Sequence, residues 1–163
     1  MWKEIDGANN NKTRAIIFGL TSSVRDNYLL APPKSERSPE LVELLDRYLN
    51  HSDSMIVAEA IDGLNHLGVV DFKDRVMALR NHSSPFVRGS VLRYAANLLP
   101  EQAFSLLIQA LRDSDFIVRE NAVDELGELG RVEAIPYLEV LVNDANPNVR
   151  QAVETAIHHL QES

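Results

Sequence analysis

Apolar residues recur along this chain with two superposed spacings. Within short stretches they fall three or four residues apart, as in Phe104, Leu107, Ile108 and Leu111, or Val118, Ala122, Leu126 and Leu129, which is the period of one buried helix face. Between stretches the pattern repeats every 31 residues: Ile56, Val87, Val118 and Val149 share one column. Leu45, Val76, Leu107 and Leu138 share a second, and Leu41, Phe72, Ala103 and Ala134 a third. A polar column, Asp53, Ser84, Asp115 and Asn146, precedes the first by three positions and consists of residues that cap helix N-termini. Pro85 and Pro147 follow two of them, at the first helical position, where a missing N–H costs nothing. Each unit therefore predicts two helices, in the third unit Glu101 to Arg112 and a second starting at Asp115, with Gly127 and Gly130 free to allow close helix approach or to end the helix. Strand patterns are lacking. The expected fold class is all-α, an α-solenoid of about four helical hairpins over residues 38–68, 69–99, 100–130 and 131–163.

Residues 1–37 do not follow the repeat. Ala15, Ile16, Leu20, Val24 and Tyr28 predict a capping helix between Lys12 and Leu30, covering the apolar face that an open solenoid end exposes. Pro32 and Pro33 end that helix, and Ser38 with Pro39 starts the first regular hairpin.

Asp113, Asp115, Val118, Arg119, Ala122, Leu126, Gly127, Leu129 and Gly130 give the third unit a signature that resembles the HEAT-like repeats first recognised in phycobilisome lyases. Asp144, Pro147, Val149, Arg150, Val153 and Leu160 echo it in the fourth unit, and Pro85, Val87, Arg88 and Val91 in the second. The first departs, with Val57 where the others have arginine, although Ala60, Ile61, Leu64, Leu67 and Gly68 keep the frame. The resemblance covers residues 38–163 and implies a helical-hairpin solenoid. It leaves function open, since such repeats serve scaffolds, lyases, hydroxylases and inhibitors alike.

Composition narrows the chemistry. The formal charge is −8 and there is no cysteine, which removes disulfide scaffolds, cysteine zinc sites and thiol nucleophiles. The N-terminal segment has no apolar signal core and no run long enough to span a bilayer, so a cytoplasmic location and no membrane partner are expected. Among the five histidines, His158 and His159 are adjacent and point about 100° apart on a helix, so they cannot chelate together. The deoxyhypusine hydroxylases, relatives of the resembled family, bind iron through His-Glu dipeptides, and this sequence has none. Nucleotide-binding glycine loops and a serine nucleophile elbow are absent too. The reading is a non-enzymatic chain without cofactor or metal.

Binding is then the expected mode of action. Asp62, Arg93, Asp124 and Thr155 form one ladder on the second helices, and His66, Asn97, Glu128 and His159 another, both outside the apolar stripe and facing the concave side. Arg93 and Tyr94 sit at the centre, and Tyr and Arg often carry interface energy, although Tyr94 could equally fill an inter-helix gap. Arg88, Arg119 and Arg150 read instead as structural, in a ladder with loop aspartates. The main expectation is a module that binds a partner protein through Asp62, His66, Arg93, Tyr94, Asn97, Asp124, Glu128 and His159. Three alternatives stand beside it: an immunity protein neutralising a toxin, a phycobilin lyase-like tetrapyrrole binder, and a nucleic-acid backbone binder using Lys73, Arg75, Arg80, Arg88 and Arg93 of the basic second repeat. The acidic flanking repeats argue against nucleic acid, and favour a protein surface that is mixed or basic, with an acidic feature opposite Arg93.

Overall fold

Four helix starts are set by side chains that accept from otherwise unpaired backbone N–H groups. The computed structural model describes Thr13, Arg14, Ile17 and residues 38–162. Ser38 Oγ accepts from the Leu41 N–H and opens α1, Pro39–Tyr48. Asp53 caps α2, Ser54–His66, through the Met55 N–H at 2.9 Å. Asp115 caps α6, Phe116–Glu128, through the Ile117 N–H, and Asn146 caps α8, Pro147–Glu162, through the Asn148 N–H. The remaining helices are α3, Lys73–Ala78, α4, Pro85–Leu98, α5, Pro100–Ala110, and α7, Ile135–Leu138. Among the described residues there is no strand, and the fold class is the all-α solenoid.

A second polar column lies two residues before these caps. His51, His82, Asp113 and Asp144, again 31 apart, each accept with a side-chain atom from the backbone N–H two residues on, at 2.8–3.1 Å. The arginine column closes the same loops from the other side. Nη1 of Arg88, Arg119 and Arg150 donates to the two carbonyls five and six residues earlier. The loop before a second helix is thus a repeated hydrogen-bonded clip, fastened by side chains because its backbone groups have no helical partner.

The chain divides into two compact units, Met1–Tyr94 and Ala95–Ser163. In the first, Leu45, Ile56, Ala60, Ile61, Leu64, Val76, Val87 and Val91 are fully buried. Thr13, Arg14 and Ile17 are helical; Ile17 is buried and Arg14 reaches Glu59 at 3.5 Å, so this part of the expected cap lies against the first hairpin. The rest of that helix, and the Pro32–Pro33 linker, lie outside the described residues. In the second unit Ala103, Leu107, Ala122, Leu126, Leu138, Val149 and Val153 form the core.

The fourth repeat departs from a regular hairpin. The first helix of the fourth repeat is reduced to four residues flanked by 3₁₀ turns at Val132–Ala134 and Glu139–Leu141. Pro136 stands in its first turn, where its missing N–H separates α7 from the preceding 3₁₀ turn at no cost to the helix itself. The two candidate glycines divide their roles: Gly130 ends α6 at φ +68°, whereas a Cβ on Gly127 would stand 3.2 Å from Ala156 Cβ, so that glycine lets α6 and α8 close together.

Candidate functional site

The predicted ladder residues fall into three environments. In the first unit Asp62 on α2 and Arg93 on α4 meet through a forked contact, with Arg93 Nη2 3.0 Å from Asp62 Oδ2 and Nε 3.3 Å from Oδ1. Buried Ser90 joins them, its hydroxyl donating to Asp62 at 3.1 Å and accepting from Arg93 at 2.9 Å. The acidic feature expected opposite Arg93 is thus present already, supplied by the preceding repeat of the same chain. His66 is half-buried at the end of α2, and Asn97 is exposed near the end of α4.

Tyr94 requires a correction. It is fully buried rather than part of a binding surface, and its hydroxyl donates to the Val69 carbonyl at 2.7 Å. Burial, helped by the charge of Asp71, pushes its phenol up to about 12. Of the two readings of Tyr94 the gap-filling one holds: the equivalent positions are Gly63, Glu125 and Ala156, and the space left by a small residue at one site is filled by a ring at another.

The remaining predicted residues converge in the second unit. Asp124 and Glu128 on α6, with Thr155 and His159 on α8, line a groove of about 240 Å³. Its floor is Gly127, Ala152 and Ala156, whose small side chains let backbone approach backbone and leave a trough between polar walls. Glu120, outside the predicted ladders, lies beyond the groove lining on the same stripe: Glu120, Asp124 and Glu128 are spaced by four along α6. Asp124 reaches solvent, yet partial enclosure raises its carboxyl, and the charges of Glu120 and Glu128 raise it further. A cation placed there would offset the repulsion between these carboxylates and give the enclosed charge a partner.

A wider depression of about 1070 Å³ lies on another face of α8, lined among others by Val142, Pro147, Arg150, Glu154, Ile157 and His158. One repeat earlier the register places buried Val123 and Leu126 where Glu154 and Ile157 stand, so this face exchanges an apolar contact for a mixed one. It has no concentrated charge of either sign.

Positive charge elsewhere is largely engaged. Arg75 pairs with Asp46, Arg80 donates to the Met77 carbonyl, Arg88 to its loop, and Arg93 to Asp62. Arg119 makes a forked pair with Asp144, Nε and Nη2 both at 2.8 Å, joining the third and fourth repeats. The pair is largely withdrawn from water, with 14% and 7% of the two side chains exposed. Among the described residues no three His, Asp or Glu side chains gather as a metal site, and no helix is long and apolar enough to cross a membrane.

Comparison with known proteins agrees with this architecture. No curated protein matches the sequence. Among solved structures, an engineered protein is similar at 20% identity and a TM-score of 0.58, over 76% of this chain and 64% of its own. A second engineered protein gives 18% and 0.56, over 74% and 62%, so the chain spans less than two thirds of either. A designed armadillo repeat protein, in complex with the peptide (KR)4, is similar at 18% identity and a TM-score of 0.58, over 98% of this chain and 80% of its own. These likenesses concern the fold. The family of HEAT repeats matches residues 73–158, just over half of the sequence and the stretch in which the loop clips and the 31-residue columns are most regular; the chain belongs to the HEAT repeat family.

Proposed function

We propose that the chain is a non-catalytic protein-binding module whose contact surface includes the groove between α6 and α8, and that the groove takes a basic segment of its partner. The observation carrying this reading is the stripe Glu120, Asp124 and Glu128 beside a floor of small residues. Three like charges on one helix face repel one another, and a lysine or arginine entering from a partner removes that repulsion as it binds. Repeat solenoids commonly bind other proteins in this way, through extended surfaces built from equivalent positions of successive units. The engagement of Arg75, Arg80, Arg88 and Arg93 within the chain favours a protein partner over a nucleic-acid backbone, which needs cations free to displace counterions.

The test uses the alternating peptide (KR)4 as a probe, labelled and followed by fluorescence anisotropy, with an octaglutamate peptide as control. Binding of the basic peptide alone is expected, weakening with added salt. Asp124→Lys and Glu128→Lys are each expected to weaken it about tenfold, the effect of losing one charge-assisted contact of about 1.4 kcal/mol. Equal binding by wild type and both variants would place the contact elsewhere. Affinity capture from the native host, repeated with Asp124→Lys, then connects the groove to a natural partner.

A further inference from the structure

The loop clips divide the repeats into two chemical classes. In the third and fourth repeats the side chain accepting from the backbone two residues on is a carboxylate, Asp113 or Asp144. In the first and second it is an imidazole: His51 Nδ1 accepts from the Asp53 N–H at 2.9 Å, and His82 Nδ1 from the Ser84 N–H at 3.1 Å. All four perform one task at one register, but an imidazole can do it only when neutral and carrying its proton on Nε2. We infer that the loops before α2 and α4 are acid-operated clips: protonation of His51 and His82 turns each acceptor nitrogen into a donor facing another donor. Once its imidazole carries a second proton, each of the first two repeats releases its loop, while the carboxylate clips of the third and fourth hold.

The surroundings of each imidazole decide what happens once it is charged. His51 lies edge-on to the Tyr48 ring of α1, with centroids 5.8 Å apart. The nearby Asp53 carboxylate caps α2 through Oδ1, accepting from the Met55 N–H, and is the anion on the same loop. At His82 the Arg88 guanidinium of α4 donates to the backbone carbonyl of the same residue at 2.8 Å, so the loop already carries one fixed cation. At both sites the group facing Nδ1 is a backbone N–H, which has no lone pair to offer a protonated ring. The freed groups are the Asp53 and Ser84 N–H at the entrances to the helices that carry Asp62 and Arg93. The device is independent of the proposed acidic groove, which belongs to the second unit.

The experiment is a pH titration of the ¹⁵N-labelled full chain from 7.5 to 5.5. At pH 7.5 the ring nitrogens of His51 and His82 are expected to report the Nε2–H tautomer. On acidification, the amide protons of Asp53 and Ser84 should move upfield, and their exchange, corrected for intrinsic rate, should speed about tenfold, the loss of one hydrogen bond. Those of Asp115 and Asn146 should stay, because carboxylates keep their charge until about pH 4. The double variant His51→Asp, His82→Asp copies the clip of the later repeats and should remove the response between pH 7.5 and 5.5. Three results each overturn the inference: the Nδ1–H tautomer at pH 7.5, equal loss of protection at all four amides, or an unchanged response in the double variant.

Discussion

Single residues in this chain are decided by what surrounds their polar atoms. Tyr94 places an aromatic ring in the core of the first unit and keeps one hydrogen bond, to Val69. Tyr94→Phe keeps the ring and strands the carbonyl, so urea denaturation should show a loss of about 1–3 kcal/mol. The same hydroxyl fixes an alkaline limit. In the folded chain its pKa is pushed up to about 12, above the ordinary phenol value of 10.0, so burial favours the neutral phenol. The stabilisation from this group is complete below pH 10 and is lost as the pH rises from there toward 12. Tyr94→Phe should lack this phase of alkaline unfolding, visible by comparing melting temperatures at pH 9 and pH 11. Gly130 makes a different demand: φ is +68°, and a Cβ added there would meet nothing within 4 Å. Gly130→Ala should therefore cost only the backbone term, about 1 kcal/mol, read from the shift in urea midpoint.

At the scale of elements, the forked pair of Arg119 and Asp144 connects the second helix of one repeat to the loop of the next. The hydrogen bond from Arg119 lowers the Asp144 carboxyl below its usual range, and the Asn146 N–H acts in the same direction. A depressed folded pKa means that this stabilisation is present above the unfolded value, about 3.9, and is lost as the pH falls through the folded one. Asp144→Asn should therefore cost about 3 kcal/mol at neutral pH, having left a mostly buried guanidinium without its anion, and should flatten stability between pH 5 and pH 2. The double variant Arg119→Ala, Asp144→Ala should cost less than the two single variants together. The existence of this joint was legible from the arginine column and the loop aspartates, as were the helix starts, because caps and apolar stripes are local signals. What periodicity could not show is which side chain fills a particular gap between repeats. Tyr94 entered the core and Arg93 found Asp62 through contacts whose partners stand 25 and 31 residues away. The exposure of Asp124, Glu128 and His159 was legible for the same reason in reverse, since helix register alone fixes it, whereas the trough between α6 and α8 depends on how closely Gly127 and Ala156 approach.

For the whole molecule, stability and binding should oppose each other at Asp124. Its folded pKa is raised, first by partial enclosure and then by Glu120 and Glu128, so the charged form is less comfortable folded than unfolded. The sign follows directly: the stabilising contribution of a raised carboxyl is present below its unfolded pKa and disappears as the pH rises through the folded value. At neutral pH the charge is therefore a burden to the fold. Asp124→Asn should raise the melting temperature slightly at pH 7, by at most about 1 kcal/mol of stability because the side chain is open to screening solvent. The same substitution should weaken binding of the (KR)4 probe, since the amide cannot answer a cation with charge. A merely structural carboxylate would predict lower stability with unchanged binding, and a solvated bystander would move neither measurement. Greater stability with poorer binding is the pattern expected of a residue retained for a partner, because sites kept for function are where a sequence departs from its most stable choice. Following the comparison from pH 7 downward separates the two contributions, since the difference in stability that Asp124→Asn makes should shrink as the Asp124 carboxyl takes up its proton. That change is read in the Asp144→Asn background, from which the acid phase of Asp144 itself is absent.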